Sequence, residues 1–358
     1  MRRGAAPQRA LESVRLHDIP LILRLPGGLS LRLHRRSLLV SIGLAVAMVL
    51  TAALAIGTGA YPIAPDRLVL AVTGWGDATD VFIVLGQRVP RALAALATGA
   101  TLGLSGCVFQ SLSRNPLGSP DIIGFTSGAA SGGLVVILVA GTSSAASIAA
   151  GTIVGGLATA LVVYLLSGRG GAAGERLVLV GISIGAMLAA VNDYLLTRAD
   201  LASAEAARAW QFGSLNAISW AQAWPLLGAV VVLVPLTLAA AYGIRALELG
   251  DDSATALGVT TTRTRLVLLV LGVALAATAV AAAGPIGFLA LAAPQLARRL
   301  ARSPGAAVLA SMLMGAVLLG VGDLLAQRLL SPFQIPVGLV TAALGGLYLM
   351  WLLRHRSS

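Results

Sequence analysis

Two long apolar runs, 92–109 and 122–140, flank the octapeptide Arg114-Asn115-Pro116-Leu117-Gly118-Ser119-Pro120-Asp121, whose prolines and charges forbid it from continuing either run. Each run is about the length an α-helix needs to cross a hydrocarbon core ~30 Å thick. Backbone in that core must satisfy its own hydrogen bonds, so helices are the spanning elements expected, and the octapeptide reads as a short polar turn at a membrane face. The same pattern predicts ten spans, at 37–58, 92–109, 122–140, 146–166, 177–197, 221–242, 266–283, 287–300, 306–326 and 337–353. The eighth is short and broken. Gly284-Pro285-Ile286-Gly287 precedes it and Pro294 lies within it, an irregularity tolerable at membrane depth only where protein or a cavity surrounds it.

With 57% hydrophobic and 11% charged residues, the chain departs from soluble domains, which carry about 25% charge. The fold class expected is all-α, a polytopic membrane protein of about ten transmembrane helices. The 42 glycines suit close helix packing, because small side chains let backbones approach; genomic base composition would produce the same richness. The chain divides into an Arg-rich N-terminal tail (1–36), a transmembrane domain (37–354) and a short C-terminal tail (355–358). Transit peptides share the composition of the first segment, but here it runs into a full-length span without a small-residue cleavage site, so it reads as a tail.

Every basic residue is arginine, and orientation follows from where the 25 arginines fall. One set of alternate segments holds nineteen; the other holds Arg67, Arg88, Arg91, Arg198, Arg208 and Arg328. The positive-inside bias makes the first set, and both termini, cytoplasmic. The net charge of +11 is then topological, and nucleic acid is not an expected partner. Trp75, Trp210, Trp220, Trp224 and Trp351 all fall near predicted span ends, as interfacial anchors do.

Absences narrow the chemistry. The phosphate-binding loop G-x-x-x-x-G-K-[ST] needs a lysine, and the chain has none, so ATP-driven work needs another polypeptide. His17, His34 and His355 lie in the tails, and Cys107 is the lone cysteine. That leaves no soft-ligand metal site in the spans, and a metal crossing here would travel inside a chelate. No catalytic constellation is expected. Asp323 and, nearer a span end, Asp193 are the intramembrane carboxylates. Gly320-Val321-Gly322-Asp323 spells the G-x-G-D of intramembrane aspartyl proteases, which would require Asp193 as the second acid; the other reading is that Asp323 caps or cross-links helices.

Three motifs occur in order. The first is Arg88-Val89-Pro90-Arg91, then Gly106, Gln110 and Arg114-Asn115-Pro116-Leu117; the second is Leu249-Gly250-Asp251-Asp252-Ser253-Ala254-Thr255-Ala256-Leu257-Gly258. The third is Ala283-Gly284-Pro285-Ile286-Gly287-Phe288 with Pro294, completed by Ile335-Pro336-Val337-Gly338 and Thr341. Together they make the chain resemble the FecCD-type permeases of binding-protein-dependent ABC importers for iron-siderophore complexes, cobalamin and haem. The resemblance implies a bacterial inner-membrane, multi-pass permease with an inverted repeat relating spans two to five to spans seven to ten. It further implies a second permease chain, identical or paralogous, ABC ATPase subunits carrying ATP and Mg beneath, and an extracytoplasmic substrate-binding protein above. No cofactor is expected on this chain itself.

Carried over by position, Leu249, Gly250, Asp251, Asp252, Ser253, Ala254, Leu257 and Gly258 match the cytoplasmic loop that seats in the ATPase. Ser253, Ala254 and Ala256 are small enough for close docking, and Asp251 and Asp252 can cap a short helix or meet basic groups of the partner. Arg88 and Arg91 match the outer-face arginines that meet acidic residues of the binding protein; the alternative is anchoring by snorkelling. Arg114, Asn115, Pro116, Gly284, Pro285, Gly287, Pro336 and Gly338 are motif positions read as structural. The chain departs from the family pattern twice. Gln327 stands where some relatives have a third outer arginine, with Arg328 one position later, and Gln295 follows Pro294 where most members have His. The wording is nearest to ferric-siderophore permeases, especially ferric-enterobactin-like ones. A secondary transporter driven by an ion gradient is the rival class, but it needs mid-membrane carboxylates that the chain almost lacks.

Overall fold

The computed structural model describes residues 21–24, 30–33, 35–167, 175–303, 305–330 and 333–354. Helices stand at all ten expected positions: span 1, Arg35–Gly57; span 2, Ala78–Ser113; span 3, Phe125–Val139; span 4, Ala145–Leu166; span 5, Glu175–Arg198. Spans 6 to 10 are Trp220–Ala239, Thr261–Ala283, Leu289–Ala301, Val308–Arg328 and Val337–Arg354. Among the described residues, seven are long and apolar enough to cross a membrane unaided; spans 3, 8 and 10 are the exceptions. Spans 2 to 5 and spans 7 to 10 share a rhythm in which the second helix of each set is short. Span 3 starts after Gly124 (φ 80°) and span 8 after Phe288 (φ 65°), both left-handed.

Three expectations change. Span 2 starts at Ala78, not 92, and runs 36 residues. Pro90 has no N–H and its ring crowds the carbonyl four residues back; the helix widens to π geometry over Phe82–Arg88, where the Val89 amide reaches back to the Val84 carbonyl. A segment expected as an outer loop is therefore helical, and it carries Asp80, fully buried and paired with Arg67 at 2.7 Å. Secondly, strands Leu21–Arg24 and Ser30–Leu33 pair antiparallel within the segment read as a tail. The all-α class describes the membrane body, and residues 1–20 and 355–358 lie outside the described residues. Thirdly, the octapeptide is no simple surface turn: Gly118, Ser119 and Pro120 are buried against the bundle.

Span 2 is the hub of the molecule. Of its most apolar stretch 83% is buried, against 17% in span 1, whose Leu39, Val49 and Leu54 face outward as a lipid-covered surface would. Backbone contact makes this possible. A Cβ on Gly99 would fall 2.3 Å from the Gly315 carbonyl oxygen of span 9, so only glycine permits that crossing.

Polar contacts sort the connections into two groups. Span 1's end, span 2's start, residues 213–219 and residues 323–334 meet at one face; span 2's end, residues 247–251, span 7's start and residue 306 meet at the other. The second group carries the arginine-rich segments. This alternation is the one that ten crossings require.

Candidate functional site

At the arginine-rich face, helix Ala241–Glu248 ends at Gly250 (φ 102°), and a six-residue helix, Asp251–Ala256, follows before Gly258 (φ 79°). Both glycines occupy left-handed backbone that side chains resist. Asp251 accepts hydrogen bonds from Arg265 (2.5 Å) and Arg114, whose Nε also donates to the Leu247 carbonyl at 3.1 Å. Glu248 accepts from the Ser111 hydroxyl (3.0 Å) and the Ala306 amide (2.8 Å). Two carboxylates thus fasten the short helix to spans 2 and 7 and to the connection before span 9. Asp251 is committed inside this chain, while Asp252 is exposed. Ala254, expected to face a partner, is fully buried beneath the short helix. The outward side is made of Leu249 (65% exposed), Asp252, Ser253, Ala256 and Leu257 (51% exposed).

The first and third motifs meet beside it. Pro294 lacks an N–H, which deprives the Ala290 carbonyl of its helical donor. Gly106 of span 2 packs directly on that carbonyl; a Cβ there would lie 1.7 Å from the oxygen. One turn along, Gln110 donates to the Leu291 carbonyl at 3.0 Å and accepts from Arg298. Gln295 donates to the Pro116 carbonyl at 2.5 Å. Asn115 folds back so that its side-chain oxygen accepts from the Leu117 amide at 2.9 Å, with Arg114 left-handed (φ 50°) at the helix end.

At the opposite face Gly284 (φ 73°) leaves the Ala283 carbonyl to accept from the Ser214 amide at 2.7 Å, and Gly338 donates its amide to the Gly213 carbonyl at 3.0 Å. Pro285 packs its carbonyl over Gly213, and Pro336 begins the turn into span 10. Gly287, by contrast, faces open space. Beside this junction Arg91 and Asp323 form an ion pair at 2.9 Å, joined by Gln334 (2.8 Å), Asn216 (2.9 Å) and Gln327 (2.8 Å). Arg88 donates to the carbonyls of Ile56 (3.1 Å) and Tyr61. Both arginines line an outer cavity of about 540 Å³ with Gln87, Ser219 and Gln334. Asp323 is thus the helix cross-link of the second reading, its oxygens taken by Arg91 and Gln327, and Asp193 is exposed on span 5.

Gln110, Gln295, Glu248, Asn216 and Gln334 are site residues that sequence reasoning did not assign. A signal existed for the first two, since amides inside apolar spans need partners. For the others only the fold supplies one.

Ten helical spans among the described residues, an acidic loop tied to the arginine-rich face and a broken eighth span held by span 2 define the membrane permease of an ABC importer. The chain belongs to the FecCD transport family, which matches residues 44–355, and is a multi-pass protein of the inner membrane. It is 42% identical over 323 residues to the ferric enterobactin transport system permease protein FepG of Escherichia coli K12, covering 90% of this chain and 98% of that one. It is 34% identical over 301 residues to the hemin transport system permease protein HmuU of Yersinia pestis, covering 79% and 88% respectively. A solved metal-chelate type ABC transporter in an inward-facing conformation superposes with a TM-score of 0.79 at 29% identity, over 88% of this chain and 99% of that one.

Proposed function

We propose that the chain carries a ferric siderophore into the cytoplasm as the permease of an ATP-driven importer. The observation that carries the substrate class is the 42% identity, over nearly the whole length of both chains, to a permease named for ferric enterobactin. ABC ATPase subunits, bearing ATP and Mg, dock on the outward side of residues 249–258, where Leu249 and Leu257 offer apolar contact and Asp252 a charge. A second permease chain, identical or paralogous, completes the path. The extracytoplasmic binding protein docks at the opposite face, where Arg88 and Arg91 line the outer cavity and Arg88, held by backbone carbonyls, offers an acidic group a cation; charge there steers encounter more than it adds affinity. An ion-gradient mechanism is disfavoured because Asp323, the carboxylate best placed for it, is neutralised by Arg91.

The test is purification, identification of the ATPase that accompanies the chain, and uptake measurements in reconstituted vesicles. ATP-dependent uptake of a ferric siderophore is expected. Uptake driven by an ion gradient without an ATPase would overturn the importer reading, and uptake of haem or cobalamin alone would overturn the substrate class.

A further inference from the structure

The hydrogen bond from Gln295 to Pro116 joins residues 179 positions apart and closes an unbroken mechanical chain. It begins at Asp251 in the acidic loop, passes through Arg114 to the backbone of 114–116, and crosses from the Pro116 carbonyl to Gln295 in span 8. Gln110 makes a second crossing from span 2 to the Leu291 carbonyl. Within segment 114–124 the Asp121 carboxylate accepts from the Thr126 hydroxyl at 2.7 Å, which ties the segment to the start of span 3. Span 8 is therefore held at two points, the Pro116 carbonyl and Gln110.

Span 8 needs such support. It is 13 residues long and Pro294 interrupts its ladder, so by itself it is a compliant element. Gln110 and Gln295 are 2% and 6% exposed, and a buried amide tolerates few geometries because an unmet partner is costly. Links of this kind transmit displacement where apolar contact alone would slide.

We propose that Gln295, assisted by Gln110, is a positioning residue for transport: it makes span 8 move as one body with segment 114–124, and so with the ATPase-facing helix Asp251–Ala256. The proposal rests on the ATPase docking at residues 249–258. Movement of that helix then reaches the irregular Gly284–Phe288 stretch, and with it the outer junction, through hydrogen-bonded contacts.

The experiment compares Gln295→Met, which removes the donor, with Gln295→His, whose ring N–H keeps one, in the reconstituted permease–ATPase complex. Gln110→Met tests the second crossing. The Gln295→Met variant should assemble and hydrolyse ATP, with chelate imported per ATP falling about tenfold, the scale of one lost buried hydrogen bond. Gln295→His should restore most of the ratio. A wild-type ratio in Gln295→Met, an equal loss in Gln295→His, or failure of every variant to assemble would overturn the proposal, the last by making the residue purely architectural. Wild-type uptake in the same vesicles tests the importer reading separately.

Discussion

Arg91 and Asp323, 232 positions apart in the chain, form a bidentate ion pair that fastens span 2, just past its π-helical stretch, to the last turns of span 9, with Nη2–Oδ1 at 2.9 Å and Nε–Oδ2 at 3.0 Å. Their side chains are 13% and 3% exposed. A guanidinium offers five N–H donors, and Asp323, Gln334 and Asn216 occupy four of them. Arg91 is thus a pin within the permease, and any acidic partner group entering the outer cavity meets a guanidinium already held in place. Free snorkelling into the interface does not describe it either.

Removing one member of this pair should cost far more than removing both. Asp323→Ala leaves a buried guanidinium without its counter-ion, a loss of about 3–5 kcal/mol, and should lower the unfolding temperature of the purified permease in detergent sharply. The double variant Arg91→Met with Asp323→Leu should recover most of the loss, because apolar replacements of similar volume are often neutral. Equal destabilisation by the single and double variants would remove the pair from its structural role.

The acidic loop has an inner and an outer side, and substitutions should separate them. Ala254→Trp overpacks the chain's own interior, typically about 1–3 kcal/mol, and should destabilise the permease before any partner binds. Leu249→Ser and Leu257→Ser leave the interior untouched and should reduce ATPase association in pull-down titrations while the unfolding temperature stays at the wild-type value. If Ala254→Trp left stability unchanged but abolished ATPase binding, Ala254 would belong to the partner surface after all.

Topology is best probed at Asn115, which is exposed; Ser119 is 1% exposed and a poor target for a reagent. In a Cys107→Ala background, Asn115→Cys should resist a membrane-impermeant thiol reagent in intact cells and react in inverted vesicles. Labelling in intact cells would reverse the orientation.

Glycine positions should differ in tolerance according to what a Cβ would meet. Gly99→Val drives a side chain into the span 9 backbone and should abolish accumulation of folded protein. Gly287→Ala enters open space and should accumulate normally. Normal yield of folded Gly99→Val, read by size-exclusion chromatography, would contradict the close span 2–span 9 crossing.

Helix positions were largely legible because a membrane leaves the backbone few options: apolar length and the placement of arginines set ten spans and their alternation. The start of span 2 was not. Residues 78–91 contain Asp80, Arg88, Pro90 and Arg91, which signal a polar loop; Arg67, the carbonyls of Ile56 and Tyr61 around the end of span 1, and Asp323 satisfy those charges only once the chain has folded. Gln295 is similar, since its partner, the Pro116 carbonyl, has no side-chain signature at all.

The sequence by itself determined the class of fold, its membrane setting and its family, because these follow from composition, apolar length and local motifs. Tertiary structure alone decided which motif residues touch: that Ala254 points inward while Leu257 points out, that Arg91 is held by Asp323, and that the proline break in span 8 is bridged by Gly106 and Gln110. Such pairings depend on how helices far apart in sequence rotate and approach. Small residues permit several approaches, and only the complete packing of the bundle selects the one in which Arg91 meets Asp323 and Gln295 meets the Pro116 carbonyl.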